Sequence, residues 1–302
     1  MEPKTRKPFF SLLLILCSLC AALAAQAAPS DSLDADRLFA FAGNLMQEQD
    51  YYRAITEYKR FLSYYPDDER SQLCLLNIAM AYAKGGKTDL AVEQFQKISD
   101  NYPGTPTAER AGYEIGLAYY TDQRYEDADK AFSDFIKNYP GSIRMDPARI
   151  YLGWSLIHLW KPDRAAIAFS AVSEESPQYP LCQAISGEMA SGPAHPRKSP
   201  VLAGIFSAVI PGAGQVYTGR LTEGVTSFVL NGSFIWAIVE LFDRGSEAAG
   251  FILGFLETGW YTGGVFGAVN DAHKFNRRAR EDFIENLQNR YPMPGIKQGV
   301  GP

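Results

Sequence analysis

Along roughly the first two thirds of the chain, hydrophobic and small positions recur with a period of 37. Ala54, Ala91, Ala128 and Ala165 share this spacing, and so do Tyr58, Phe95, Phe132 and Phe169, each four positions further on. The small residues Ala42, Ala79, Gly116 and Gly153 and the prolines Pro66, Pro103, Pro140 and Pro177 keep the same register. An alanine and an aromatic four residues later lie on one face of a helix. A small residue on the preceding helix lets that face approach closely, and the proline stops the second helix. Each unit therefore predicts two helices. One such pair cannot bury its own apolar face, whereas several stacked pairs form a continuous core, so the pattern predicts an all-α solenoid over residues 34–190.

The positions that carry the period are Leu75, Ala79, Tyr82, Ala91, Phe95 and Pro103 in the second unit. In the third they are Gly116, Tyr119, Ala128, Phe132 and Pro140, with Gly112 where a larger residue is usual. This pattern resembles the tetratricopeptide repeat (TPR), whose standard period is about 34 residues. The three additional residues per unit are assigned to the turns "YYPDDERS", "NYPGTPTAE" and "NYPGSIRMD". The "NYPG" turns resemble repeats of bacterial envelope proteins, including the outer-membrane assembly lipoprotein and the Tol-Pal coordinator. The resemblance implies a concave groove lined by the first helix of each unit. The groove residues are then Phe39, Met46, Leu76, Met80, Tyr113, Leu117, Tyr120 and Trp154, with Gly43, Ala83, Ile150 and Ile157 at neighbouring positions. Tyr113, Tyr120 and Trp154 would anchor a protein or peptide partner, since aromatics supply much of interface energy. The competing reading is that part of this stripe packs between repeats.

The second half has a different pattern. A proline-rich linker, residues 191–200, precedes three apolar runs, Val201–Thr218, Val225–Phe242 and Ala248–Val269. A membrane-crossing helix needs about 20 largely apolar residues. The second and third runs qualify, while Pro211-Gly212 interrupts the first, which reads as a kinked span or a re-entrant helix. Residues 201–270 thus predict a membrane helical bundle of two to three spans, followed over residues 271–302 by a basic helix and flexible tail. With an exported solenoid, three spans place the basic "HKFNRRAR" in the cytoplasm, as the positive-inside rule favours; two spans would place it outside.

Glycines punctuate these runs. "IPGAGQVYTGR" has the spacing of a phosphate loop at Gly214 and Gly219, but Arg220 and Leu221 stand where Lys and Ser/Thr are needed, and a third dinucleotide-type glycine is missing. No nucleotide cofactor is expected. Gly259, Gly263 and Gly267 share one helix face, as do Gly250 and Gly254, and Gly204, Ala208 and Gly212 in the first run. In lipid, such small-residue faces drive helix packing, and they also allow a homo-oligomer through the glycine-rich helices. The "PGAGQVYTG" string (Pro211, Gly212, Gly214, Gln215, Tyr217, Gly219) resembles the start of small two-helix bacterial membrane domains of the TM2 type. Glu257 lies within the third run. An intramembrane carboxylate is commonly paired or functional; it reads either as a proton- or ion-handling group or as a hydrogen-bond donor to Asn231 or Gln215.

Charge and composition narrow the function. Residues 31–190 carry 24 acidic and 16 basic side chains, a net of −8, which disfavours nucleic acid as a partner. Lys4, Arg6 and Lys7, the apolar "FFSLLLILCSLCAALAA" and Ala25-Gln26-Ala27 read as a signal peptide over residues 1–27. An uncleaved anchor and a lipoprotein signal at Cys17 or Cys20 are the alternatives. Cys74 and Cys182 stand about three repeats apart and are expected as buried thiols. His158, His195 and His273 are scattered, so no metal set forms by spacing. No nucleophile motif is present, and no enzyme is expected. The sequence reads as an inner-membrane scaffold with a periplasmic TPR domain, contacting a protein or peptide and the lipid bilayer. The alternatives are a transport component using Glu257, and a soluble or outer-membrane-associated adaptor.

Overall fold

The computed structural model describes residues 30–192 and 196–292. The segment read as a signal peptide with Cys17 and Cys20, His195 and the end of the tail lie outside the described residues. All regular structure among the described residues is helical, and the chain divides after Ser186 into two compact units.

The first unit is a TPR-type solenoid of four helix pairs: α1 (Ser30–Gln47) with α2 (Tyr51–Tyr64), α3 (Ser71–Lys84) with α4 (Thr88–Asn101), α5 (Pro106–Thr121) with α6 (Tyr125–Asn138), and α7 (Met145–His158) with α8 (Pro162–Ser170). Each helix packs on the next in the chain, and α3 also touches α5, as α5 does α7. The 37-residue register sets this core. Ala54, Ala91, Ala128 and Ala165 are fully buried, and the aromatic four residues later is buried in every pair. That ring presses on the small residue of the preceding helix. A Cβ added at Gly116 would lie 2.6 Å from the Phe132 ring, and one at Gly153 would lie 2.5 Å from Phe169. The second helices α2, α4 and α6 end two residues before Pro66, Pro103 and Pro140, as the steric demand of proline on its predecessor requires.

The turn inside each pair repeats with the same period. Gln49, Gly86, Gln123 and Trp160 all occupy the left-handed backbone region, at φ of +64°, +71°, +60° and +57°. The next residue's N–H returns to the carbonyl five positions back, from Asp50 to Leu45, Lys87 to Tyr82, Arg124 to Tyr119 and Lys161 to Leu156, at 2.8–2.9 Å. This is a helix-terminating Schellman arrangement, for which glycine is preferred. Helix α9 (Tyr179–Ala190) follows the last pair, and its Ser186 hydroxyl donates to the Ala166 carbonyl at 2.8 Å. Cys74 and Cys182 are buried free thiols, each pushed up to about 12 by burial.

The second unit contains α10 (Pro200–Val209), α11 (Ala213–Tyr217), α12 (Leu221–Asp243) and α13 (Glu247–Arg290). The long helices α12 and α13 form an antiparallel hairpin through a turn at Gly245, φ +73°. Helix α13 runs unbroken for 44 residues, so residues 271–290 continue the third apolar run instead of forming a separate basic helix. Helix α10 packs along α13, with Ala203, Ala268 and Ala272 completely buried between them.

The first apolar run does not make a spanning helix. Its 10 residues give α10 a length of about 15 Å. The chain then reverses at Gly212, and the Tyr217 hydroxyl accepts a 3.0 Å hydrogen bond from the Ser199 N–H at the start of α10. The chain therefore leaves this segment at the end where it entered, which corrects the three-span arrangement. Among the described residues, α12 is the helix that is long and apolar enough to cross a membrane. Helix α13 has ample length, but Glu257, threonines and glycines lower its hydropathy.

Candidate functional site

The groove residues separate into three groups. Leu76 (2% exposed) and Trp154 (0%) are core, as are the neighbouring Ile150 and Ile157. The Trp154 ring meets Phe169 edge-on at 6.0 Å. These positions were assigned to the groove by extending one helix face across all four units; the helix period instead turns them toward the paired second helix.

Phe39, Met46, Tyr113 and Tyr120 are half-buried and engaged within the solenoid. Phe39 packs edge-on against Tyr58 and Phe61 at 5.9 and 5.7 Å, with the Arg70 guanidinium 5.4 Å from its ring. Met46 joins the same cluster. Tyr113 sits among Phe132, Phe135 and Tyr151. Tyr120 lies 5.0 Å from Tyr151 and 5.7 Å from Tyr125, and His158 stacks on Tyr125 at 4.1 Å with rings parallel within 3°. Burial in this aromatic cluster raises the Tyr113 and Tyr120 phenols and lowers His158 to about 4, so His158 is held neutral.

Met80 and Leu117 are also half-buried, but with Ala83, Lys84, Glu114 and Thr121 they line a cleft of 220 Å³ between α3 and α5. Arg110 spans its edge, 3.5 Å from the Met80 sulfur and 3.7 Å from the Glu114 carboxylate. Burial pushes the Glu114 carboxyl up, against the opposing pull of Arg110 and Arg144. The cleft thus offers a thioether, an isobutyl group and a partly buried ion pair. Sequence reading missed Arg110 and Glu114 because it followed only apolar positions.

Ion pairs 34–35 residues apart tie consecutive units together: Arg70 to Asp36 and Arg124 to Asp89, both 2.6 Å, and Arg144 to Glu109, 3.2 Å. Asp129 receives Arg164 at 2.8 Å and Lys161 at 3.2 Å. Burial alone would raise the Asp129 pKa, but these donors outweigh it and hold it below the usual range.

In the second unit the "PGAGQVYTGR" segment is a packing hub. Pro211 precedes the reversal, and Gly212 caps α11 at φ +86°, where a Cβ would overlap the Gly224 carbonyl. A Cβ at Gly214 would collide with the Ala203 carbonyl and the Ala268 methyl. Gln215 is buried and donates to the Gly264 carbonyl at 2.9 Å while accepting from Ser207, whose hydroxyl also accepts the Gly214 N–H. Tyr217 closes onto Ser199, Gly219 terminates α11 at φ +89°, and Arg220 pairs with the buried Asp271 at 2.6 Å. These residues hold four helices together through backbone approach and side-chain amide bonding.

The remaining bundle positions differ from expectation. Gly267 lies near the Gln215 amide, but Gly259 and Gly263 meet nothing within 4 Å. With Gly264, Trp260, Ser227 and Leu230 they border an open groove of 670 Å³ between α12 and α13. Gln215 is committed to Gly264, and Asn231 donates to the Ser227 carbonyl at 2.6 Å. The Glu257 carboxyl accordingly has no hydrogen-bond partner among the described residues, although both its oxygens are buried.

Among the described residues no cluster of His, Cys, Asp and Glu could hold a metal ion. A sequence model of the YfiO family, described as outer membrane lipoprotein, matches residues 83–170, which fall within the solenoid. No curated protein matches the sequence. Similar solved structures include a tetratricopeptide repeat protein from Parabacteroides merdae, 15% identical, covering 85% of this chain and 100% of that one with a TM-score of 0.42. Aspartyl phosphate phosphatase F from Bacillus subtilis is 16% identical, covering 89% and 62%, with a TM-score of 0.43. BtubC from P. vanneervenii is 15% identical, covering 70% and 84%, with a TM-score of 0.40. The TPR assignment stands on the 37-residue helix pairing itself.

Proposed function

We propose that the chain is a membrane-anchored scaffold of the bacterial envelope that holds a segment of a protein partner in the α3–α5 cleft, without catalysing a reaction. The observation that carries this reading is the cleft formed by Met80, Glu114 and Leu117, with Arg110 at its edge. An open apolar and charged cleft between first helices is where a stacked-repeat protein presents its binding surface. The N-terminal signal pattern supports export, with the solenoid in the periplasm. The bundle supports the anchor: Phe251, Phe255 and Phe266 on α13 are 69%, 82% and 70% exposed, and α12 exposes Phe228, Val229, Ile235 and Trp236. So extensive an apolar surface marks a membrane or partner contact. It disfavours a soluble adaptor whose apolar helices pack away.

A photo-crosslinking side chain placed at Leu117 in cells tests the scaffold reading. A discrete protein adduct that disappears with Met80→Glu and is absent when the probe sits at exposed Ile143 supports it. Equal labelling at 117 and 143 overturns it. Resistance of the chain to carbonate extraction tests the anchor. A second reading, transport, rests on the unpartnered Glu257 carboxyl. It requires that Glu257→Gln abolish a flux while leaving the Leu117 adduct intact.

A further inference from the structure

The α12–α13 hairpin has two ends of opposite charge. At the end where the chain enters stand Arg197 and Lys198 ahead of α10, Arg220 ahead of α12, and Lys274, Arg277, Arg278 and Arg280 on α13. Seven basic residues there stand with four acidic ones: Glu223 and Asp271, both engaged by Arg220, and Glu281 and Asp282, which follow Arg280 on α13, so this end keeps a net positive charge. At the other end, around the turn, are Glu240, Asp243 and Glu247 with Arg244 alone. The 23 residues of α12 separate the ends by about 34 Å, close to the thickness of a bilayer's hydrocarbon core.

Hydrogen bonds bring Lys198 to the level of Asn276, beside Lys274, Arg277 and Arg278 in the sequence of α13. The Lys198 N–H donates to Asn276 Oδ1 and the Asn276 amide donates back to the Lys198 carbonyl, both at 2.8 Å. The Lys198 ammonium lies 4.7 Å from the Tyr217 ring and 5.7 Å from Phe275. Lysine over aromatic rings at the polar end of an apolar helix is the arrangement of a side chain at a membrane interface. From this level α10 descends with Val201, Ile205, Val209 and Ile210 exposed, and the chain comes back at Tyr217.

Resting on the membrane-anchor reading above, we infer that the bundle enters and leaves the bilayer on one face, and that its basic collar binds anionic phospholipid headgroups of the leaflet that α10 penetrates. The shared chemistry is a phosphate-bearing anion, and the lipid is its source here. The positive-inside rule taken alone would turn this end toward the cytoplasm. The export signal acts first and sets the side, and the collar goes with the solenoid because the crossings are even.

The test uses the full chain, recovered in mild detergent from vesicles of phosphatidylcholine mixed with phosphatidylglycerol, with the retained lipid quantified by headgroup. The expected result is enrichment of phosphatidylglycerol that falls about fivefold or more in the Lys274→Gln/Arg277→Gln/Arg278→Gln variant, as loss of even one such contact predicts. Arg244→Gln, at the opposite end, leaves it unchanged. If the triple variant loses helicity, Arg277→Gln alone is used. Equal retention of both lipids by the unaltered chain overturns the inference while leaving the anchor standing. Displacement of the lipid by inorganic phosphate at matched concentration overturns it in favour of a free anion. Failure of the chain to enter vesicles of either composition overturns the anchor and the inference with it. Topology reporters after Ala190, at Thr222 and after Arg280 should agree, with Ser246 opposite; Thr222 opposite to Ala190 would restore three crossings and remove the shared face.

Discussion

The Tyr217 hydroxyl accepts the backbone N–H of Ser199 at 3.0 Å, joining the end of α11 to the start of α10 across the Gly212 reversal. This bond and the glycine reversal make the first apolar run return to its point of entry. Tyr217→Phe leaves a partly buried N–H without its acceptor and is expected to destabilise the second unit by about 1 kcal/mol. Gly212→Ala combines a left-handed backbone with overlap on the Gly224 carbonyl and should cost about 3 kcal/mol or more. Gly219→Ala, where the backbone is equally left-handed but the space is open, should cost only about 1 kcal/mol. Thermal unfolding of the three variants in one detergent gives the order, and equal effects of the two glycine changes would contradict the packing argument.

In the solenoid, two substitutions of similar size should have opposite signs. Gly116→Ala drives a methyl group into the Phe132 ring and is expected to lower stability by about 1–2 kcal/mol, after the gain in helix propensity. Gln123→Gly relieves a left-handed non-glycine position and should raise stability by about 0.5–1 kcal/mol. Denaturant midpoints measure both.

His158 gives a pH dependence with a definite sign. Its folded pKa is lowered to about 4 from an ordinary value near 6.5, so the unfolded chain binds the extra proton between these limits. Stability should be full above about pH 6.5 and fall as the pH drops toward 4, by about 3 kcal/mol at most. His158→Phe, which retains the stack on Tyr125, should flatten the profile in that window. Acid loss below pH 4, where Asp129 takes up its proton, should remain. Urea unfolding at several pH values makes the comparison.

The groove and the core are distinguished by Leu117 and Trp154. Leu117→Asp should leave the helical fold intact and abolish capture of the partner at the cleft, because Leu117 lines the cleft and is only half-buried. Trp154→Ala should cost about 3–5 kcal/mol, because the indole is completely buried against Phe169. Circular dichroism and the crosslinking assay, run on both variants, separate loss of fold from loss of binding.

The helix pairs of the solenoid were legible in the sequence because their packing is local. Ala91 and Phe95 meet Ala79 within one 37-residue unit, and the same rule holds in every unit, so period alone places the core. The left-handed turn at Gln49, Gly86, Gln123 and Trp160 has the same period, but only one of the four is glycine, and side-chain identity did not reveal it. The burial of Leu76 and Trp154 was decided by the rotation of each helix against its partner, a tertiary quantity that apolar spacing leaves undetermined within a few tens of degrees. The second unit depended on tertiary structure more heavily. Its apolar runs and glycines were visible, but the meaning of "PGAGQVYTGR" lies in contacts up to 51 residues away, such as Arg220 with Asp271. Sequence determined which segments are helical and which are apolar; packing of Gly212 on Gly224 and of Gln215 on Gly264 decided that the first apolar run turns back.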